Sequence, residues 1–181
     1  MLIQLIVQHP EALPTVIHGT PGWVWGVAAG LAVLGASQLK DRQASLTRVS
    51  LMPLAMTAFS IWGTVSALRA SPLLAQALGV WIMVALTVFA LVARLPARAR
   101  YDAATRSYAI PGSVVPLLLM LGIFLVKYVV GVDLVMAPQL MHESSYAWTV
   151  AALYGAFTGL FVGRAARLWK LALPNRRAFA V

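Results

Sequence analysis

Five long apolar stretches, separated by short polar loops, dominate the pattern of hydrophobic and polar positions along this chain. A helix needs roughly 20 residues to cross a hydrocarbon core about 30 Å thick, and these stretches approach or reach that length. The turn between the second and third is so short that their helices are expected to be antiparallel neighbours. We therefore predict one membrane domain over residues 1–181, an all-α integral membrane fold with a five-helix transmembrane bundle. The predicted spans cover residues 23–39, 49–68, 72–93, 113–132 and 146–168.

Two further segments lie outside these spans. Residues 1–9 are apolar but too few to cross a bilayer, and Pro10 and Pro14 follow, so we predict a short N-terminal interfacial helix. Between the third and fourth spans, β-prone residues flank a turn near Asp102 and end at Pro111. This pattern predicts a small cytoplasmic β-hairpin, followed by Ser113 as the cap of the fourth helix.

The composition agrees with a lipid environment. Hydrophobic residues make up 61% of the chain and charged residues only 10%, which is too few to cover a water-soluble core of this size. The net charge of +9 would suit nucleic acid if Lys and Arg formed one solvated face, but they fall between apolar runs. The expected partner is therefore the lipid bilayer, and no nucleic-acid partner is expected.

The basic residues are divided unequally between the two sides of the predicted bundle. Cytoplasmic loops retain Lys and Arg, and one side carries all but two of the 14 basic residues. Of the basic residues the other side carries only Arg69, and it also holds Glu11, Asp133 and Glu143, while Lys127 lies within a span. We therefore expect the N-terminus outside and the C-terminus in the cytoplasm.

Side chains with catalytic or ligand-binding chemistry are scarce. The chain has no cysteine, which excludes disulfides, thiolate-bound iron–sulfur clusters and dithiol exchange. His9, His18 and His142 lie outside the spans, so they supply no facing ligands for a haem, and their spacing fits no compact metal motif. No nucleophile lies beside a base, so we expect neither cofactor nor metal and favour a non-enzymatic protein.

Lys127 is the one charge well inside a predicted span, where an unpaired ionisable group costs several kcal/mol. It lies about five residues, or roughly 8 Å, from the outer end of the fourth span, so its side chain can snorkel to the interface. Alternatively it lines an outward-facing polar pocket with residues at similar depth. Aromatic residues at that depth also form interfacial belts, and hydroxyl groups bond to their own helix. The candidate pocket comprises Lys127, Tyr154, Trp62, Ser66, Gln76 and Thr158.

Two other patterns point to packing and to anion binding. Glycines recur every fourth residue on the first and fifth spans, which predicts close helix packing, either within one chain or in a homodimer. Basic residues cluster on the inner side, where they fix topology or bind anionic head groups or a phosphate-bearing ligand. The glycines are Gly22, Gly26, Gly30, Gly155, Gly159 and Gly163, and the inner-face basic cluster is Arg94, Arg98, Arg100, Arg106, Arg164, Arg167 and Lys170.

Three strings carry a resemblance to a known family. They are the stretch 101–113, which ends in Pro111-Gly112-Ser113, and the runs 121–128 and 153–160. They resemble those of small multi-pass proteobacterial inner-membrane proteins, an uncharacterised family with a domain of unknown function. The resemblance covers most of the chain after Pro21 and implies a multi-pass fold in a bacterial inner membrane. It implies no activity and no site residues.

Two functional hypotheses follow. In the first, this multi-pass protein binds or passes a small solute through the outward-facing pocket near Lys127. In the second, it is an accessory or assembly subunit whose glycine-rich faces dock onto a larger membrane complex. A membrane enzyme acting on lipid ranks below both.

Overall fold

A computed structural model describes residues 13–97, 99–102, 105 and 107–172. The predicted interfacial helix at the N-terminus lies outside these residues, as do Arg98 and Arg106 of the basic cluster. The described part is mostly helical and carries one small sheet. Its helices are α1 (Leu13–Gly19), α2 (Gly22–Ala36), α3 (Leu46–Leu68), α4 (Leu74–Arg94), α5 (Val115–Met136) and α6 (Ser144–Ala172).

Four of these helices, α3 to α6, are long and apolar enough to cross a membrane. They correspond to the second to fifth predicted spans, with α5 continuing to Met136, beyond the predicted end at residue 132. The first predicted span is shorter than expected, because α2 has only 15 residues and a length of about 22 Å. Four helices therefore meet the length for crossing, and α2 is a shorter apolar helix beside them.

The sheet has three strands, β1 (Arg42–Ser45), β2 (Arg100–Asp102) and β3 (Ser107–Ile110), in the order β1-β3-β2. The two later strands form a hairpin at the predicted place between α4 and α5. The sequence pattern missed β1, which comes from the loop before α3 and pairs antiparallel with β3. Tyr108 on the central strand is fully buried, and its ring lies 4.9 Å from that of Tyr101.

The loop before α3 is bound tightly to the loop before α5. Ser113 N donates to the carbonyl oxygen of Gln38 at 2.9 Å, and Gly112 N donates to Asp41 Oδ1 at 2.7 Å. A Cβ at Gly112 would lie 1.9 Å from the Leu39 carbonyl oxygen, so only glycine fits. The cap position of α5 is Val114 rather than the predicted Ser113, although the Ser113 hydroxyl still accepts from Val115 N at 3.3 Å.

Helix α6 is the most extensively buried helix and packs chiefly against α4 and then α3. Its glycines allow the close approach to α4. A Cβ at Gly155 or Gly159 would lie 2.6 Å from a carbonyl oxygen of α4, and one at Gly163 would lie 2.8 Å from Val92 Cβ. On α2, a Cβ at any of the predicted packing glycines, Gly22, Gly26 and Gly30, would meet nothing within 4 Å, so that face contacts no described part of the chain.

The helices form two groups with a seam between them. One group is α3, α4 and α6, and the other is the pair α2 and α5, which approach closely where a Cβ on Gly35 would lie 2.5 Å from a methyl group of Leu117. The start of α2 lies beside the middle of α5, since Thr20, just before α2, and Tyr128 share a hydrogen bond of 2.7 Å. Apolar side chains, including Met120 and Phe161, fill the middle of the seam.

The two ends of the bundle differ in charge. We call the end that carries the sheet the basic end, after the Lys and Arg residues that cluster there. Helices α2 and α4 finish at this end, α3 and α5 begin there, and α6 finishes beside α4. The opposite end carries Arg69 and the 3-10 turn Pro138–His142. Basic residues at the basic end are Lys40, Arg42, Arg48, Arg94, Arg100, Arg164, Arg167 and Lys170.

Candidate functional site

The six residues of the predicted outward-facing pocket do not come together in the structure. Tyr154 and Thr158 are buried in the bundle, whereas Trp62 is 68% exposed and Ser66 and Gln76 are also exposed. Matching residues by depth fixed their height along each helix but not their rotation about its axis. Ser66 donates to the Gly63 carbonyl oxygen of its own helix, as the alternative interpretation predicts.

Tyr154 and Thr158 belong instead to a hydrogen-bonded network around Ser60. The Ser60 hydroxyl accepts from Trp81 Nε1 at 3.0 Å and from Thr158 Oγ1 at 2.8 Å, and it donates to the Tyr154 carbonyl oxygen at 2.9 Å. The network joins α3, α4 and α6 through neutral groups, and every hydrogen-bonding capacity of the Ser60 hydroxyl is used. We therefore assign it to helix packing.

Lys127 is half-buried at the seam, deeper in its helix than the sequence indicated. Because α5 continues for nine residues beyond it, about 13 Å of helix separates Lys127 from Met136, rather than the roughly 8 Å expected. Its Nζ lies 5.4 Å from the centroid of the Phe59 ring on α3, which is a cation–π contact. Asp133, predicted to lie outside the fourth span, is buried in the last turns of α5.

A cavity of about 540 Å³ with polar and apolar lining, which we call cavity 1, lies at the basic end. It opens at the seam between α2, α3, α5 and α6, with β1 beside it. Three arginines line it, Arg42, Arg48 and Arg164, together with Gln38. The sequence indicates Arg42 and Arg48 only as topology signals, because nothing in the pattern shows that β1 brings Arg42, and the first turn of α3 brings Arg48, to a cavity shared with α6.

A second cavity, cavity 2, has a volume of about 510 Å³ and lies between the end of α4, the start of α5 and α6. Arg164 and Arg167 line it, so Arg164 stands at the wall that the two cavities share. Among the described residues, no Asp or Glu lines either cavity. The charged side chains that line the two cavities in the described part of the chain are therefore all cationic.

The basic residues differ in how well they are paired. Arg42 Nη2 donates to Gln38 Oε1 at 2.7 Å, Lys170 Nζ donates to the Ala93 carbonyl oxygen at 2.9 Å, and an Arg167 Nη2 donates to the Pro96 carbonyl oxygen. Lys170 and Arg167 thus bond backbone carbonyls at and just beyond the end of α4, where cations are favoured. Arg94 and Arg100 are exposed, at the end of α4 and on β2.

Arg164 has no such partner within the described part of the chain. Its guanidinium makes no hydrogen bond or ion pair there, and it lies close enough to Arg42 and Arg167 to be repelled by both. Arg167 Nε is buried and likewise has no partner among the described residues. Burial, and to a smaller extent the charge of Arg48, lowers the pKa of Arg42. These groups repel one another unless an anion lies between them.

The donor set suits an anion rather than a metal ion. Guanidinium groups present several N–H donors in a fork that matches phosphate and carboxylate oxygens. Among the residues that the structure describes, no three His, Cys, Asp or Glu side chains lie close enough together to hold a metal ion.

Comparison with known proteins gives a family and no activity. No curated protein and no solved structure is significantly similar to this chain. One family model matches residues 1–180, which is nearly the whole chain. The chain therefore belongs to the family described as "Family of unknown function (DUF6622)".

Proposed function

We propose that this chain is a multi-pass protein of a bacterial inner membrane that binds a phosphate-bearing anion in cavity 1. The observation that carries the proposal is Arg164, a guanidinium at the wall of two cavities with no hydrogen-bond partner within the described residues. Arg42 and Arg48 line the same cavity. An anion with several oxygens satisfies these donors and removes the repulsion between them.

The proposed orientation places the basic end in the cytoplasm and the N-terminus outside. Support comes from the loops, since Arg69 is the single basic residue between α3 and α4, whereas the sheet end carries a cluster of them. In this orientation cavity 1 lies at the level of the cytoplasmic leaflet, where anionic head groups and soluble phosphates both have access.

Binding can be tested with purified protein in a zwitterionic detergent. We expect glycerol phosphate, added at constant ionic strength, to raise the free energy of unfolding by about 1.4 kcal/mol at ten times its dissociation constant. Arg164→Gln should remove this stabilisation, and Arg69→Gln at the opposite end should retain it. Equal stabilisation of both variants would contradict a site at Arg164.

Lys127 supports a second candidate, the outward-facing site for a small solute. Its half-buried Nζ above the Phe59 ring, about 13 Å from the end of α5, is a costly place for a charge that serves only packing. A Lys127→Cys variant tests it, since the chain has no other cysteine. Labelling by an impermeant maleimide from outside supports water access, whereas labelling only of the control Ser144→Cys makes Lys127 structural.

The accessory-subunit hypothesis has one supporting observation, the glycine face of α2 that meets no described part of the chain. Close approach by a second helix, from another copy or from a larger complex, suits such a face. Crosslinking in membranes from a Gly26→Cys variant would give a defined product if the face is covered. A lone monomer in both membranes and gentle detergent would count against this role.

A further inference from the structure

The polarity of cavity 1 is graded along the axis of the bundle. On α3, Arg48 lies nearest the basic end, and Met52 and Met56 follow about one and two turns further in. On α6, Arg164 is nearer the basic end than Phe161, and on the α2 side Gln38 is nearer than Leu34. The cationic side chains of the cavity therefore lie towards the basic end, and its lining towards the middle of the membrane helices is apolar.

This gradient distinguishes between two sources of a phosphate group. A free phosphate would use only the guanidinium end, and the apolar part of the cavity would remain without a ligand. A phospholipid has the same order of groups, with a charged phosphate at the membrane surface and acyl chains below it. The match in polarity therefore favours a lipid.

Access from the bilayer is available beside the same residues. Leu34 on α2 and Leu51 on α3 both line cavity 1, and they are 54% and 64% exposed. Exposed leucines on membrane helices contact lipid, so the cavity borders the acyl-chain region between α2 and α3. Met52 and Met56 form part of the inner wall, and their unbranched side chains adapt readily to a flexible chain.

Building on the proposed function, we infer that the occupant of cavity 1 is an anionic phospholipid of the leaflet at the basic end. Its phosphate lies between Arg164, Arg42 and Arg48, and one acyl chain lies against Met52, Met56 and Phe161. The lipid enters sideways between α2 and α3. It also screens the mutual repulsion of the three guanidinium groups, so it stabilises the contact between the two helix groups at the basic end.

The test uses the full chain in a zwitterionic detergent and three probes. These are phosphatidylglycerol, phosphatidylcholine with the same acyl chains, and soluble glycerol phosphate. We expect phosphatidylglycerol to bind at least about tenfold more tightly than either of the others, because it alone offers both an unpaired negative charge and an acyl chain.

Two substitutions separate the charged part of the site from the apolar part. Arg164→Gln should weaken phosphatidylglycerol and glycerol phosphate alike, by about tenfold. Ala55→Trp places a large side chain at an exposed position that lines the cavity, and it should weaken phosphatidylglycerol alone. Ala58→Trp, exposed on the same helix but away from the cavity lining, is the matched control. Should Arg164→Gln fail to fold, Arg48→Gln at the exposed rim replaces it.

The outcomes separate the two proposals. If glycerol phosphate binds as tightly as phosphatidylglycerol and Ala55→Trp changes nothing, the lipid inference is overturned and the anion site stands. If neither Arg164→Gln nor Arg48→Gln changes the affinity for phosphatidylglycerol or for glycerol phosphate, the proposed anion site itself is wrong. Equal affinity for phosphatidylcholine and phosphatidylglycerol would also overturn the inference, because the charge would then be irrelevant.

Discussion

The Ser60 network and the arginines of cavity 1 are both polar groups among apolar helices, but only the network is fully paired. Around Ser60, hydroxyl and indole groups on α3, α4 and α6 satisfy one another within 3.0 Å. At the basic end, Arg164 stands between two cavities without a hydrogen bond in the described residues. The hydroxyl and indole groups of the network are thus paired within the fold, whereas the described residues leave the Arg164 guanidinium without a hydrogen-bond acceptor.

The largest expected effect concerns the packing region. Gly159→Leu should destabilise the protein by about 3 kcal/mol, because its Cβ would lie 2.6 Å from the Ala85 carbonyl oxygen and force α4 and α6 apart. Thermal unfolding in detergent measures the loss. Gly26→Leu on the open face of α2 is the control and should leave stability nearly unchanged. Similar losses in both variants would refute the close contact.

Ser60→Ala removes the acceptor of the Trp81 indole N–H and one of the two acceptors of the Thr158 hydroxyl. It should cost about 1 to 2 kcal/mol, since the indole donor loses its partner. Ser66→Ala on the exposed side of the same helix is the matched control. Chemical denaturation monitored by tryptophan fluorescence would report the difference. An unchanged midpoint for Ser60→Ala would mean that the network contributes nothing to stability.

Removing a charge from the basic end should act in the opposite direction. Without anionic ligand, Arg164→Gln should stabilise the protein by up to about 1 kcal/mol, because it removes repulsion from Arg42 and Arg167. The comparison is made in lipid-free detergent at low salt. Added salt should shrink the difference by screening. Destabilisation of the variant under these conditions would show that Arg164 has a stabilising partner.

The smallest expected effect is that of pH on lipid affinity. Burial lowers the pKa of Arg42, so the folded state releases this proton before the unfolded state does, and the effect on stability is confined to strongly alkaline solution. Phosphatidylglycerol affinity should therefore stay constant between about pH 6 and 8. Glycerol phosphate, whose second ionisation lies near pH 6, should bind a few-fold better as pH rises through that value. A titration of both probes checks the contrast.

The long apolar stretches predicted helices α3 to α6, which overlap the second to fifth predicted spans. The β-prone residues between α4 and α5 predicted the hairpin of β2 and β3. Strand β1 was missed because its four residues, Arg42 to Ser45, carry no apolar alternation and depend on a partner some sixty positions later. The shortness of α2 was missed as well, since the predicted span was continued through Ser37 and Gln38 to Leu39 although the helix ends at Ala36.

The site was harder to predict than the fold, because it depends on rotation about helix axes and on long-range contacts. Depth along a span predicted Trp62 beside Tyr154 in one pocket, whereas in the structure Trp62 is exposed and Tyr154 is buried inside the bundle. The basic cluster included Arg164 and Arg167, but Arg42 joins them only through the pairing of β1 with β3. A positive loop looks the same in sequence whether it fixes topology or forms part of a binding site.

The pairing of β1 with β3 has a consequence for the order of biosynthesis. A ribosome delivers the chain from its N-terminus, so β1 is made before α3 and α4, and its partner follows both. Until β3 and Ser113 have been synthesised, the backbone of β1 and the Gln38 carbonyl oxygen lack their partners. Arg42 therefore comes close to Arg164 only after the last helix has entered the membrane, so cavity 1 is completed at the end of insertion.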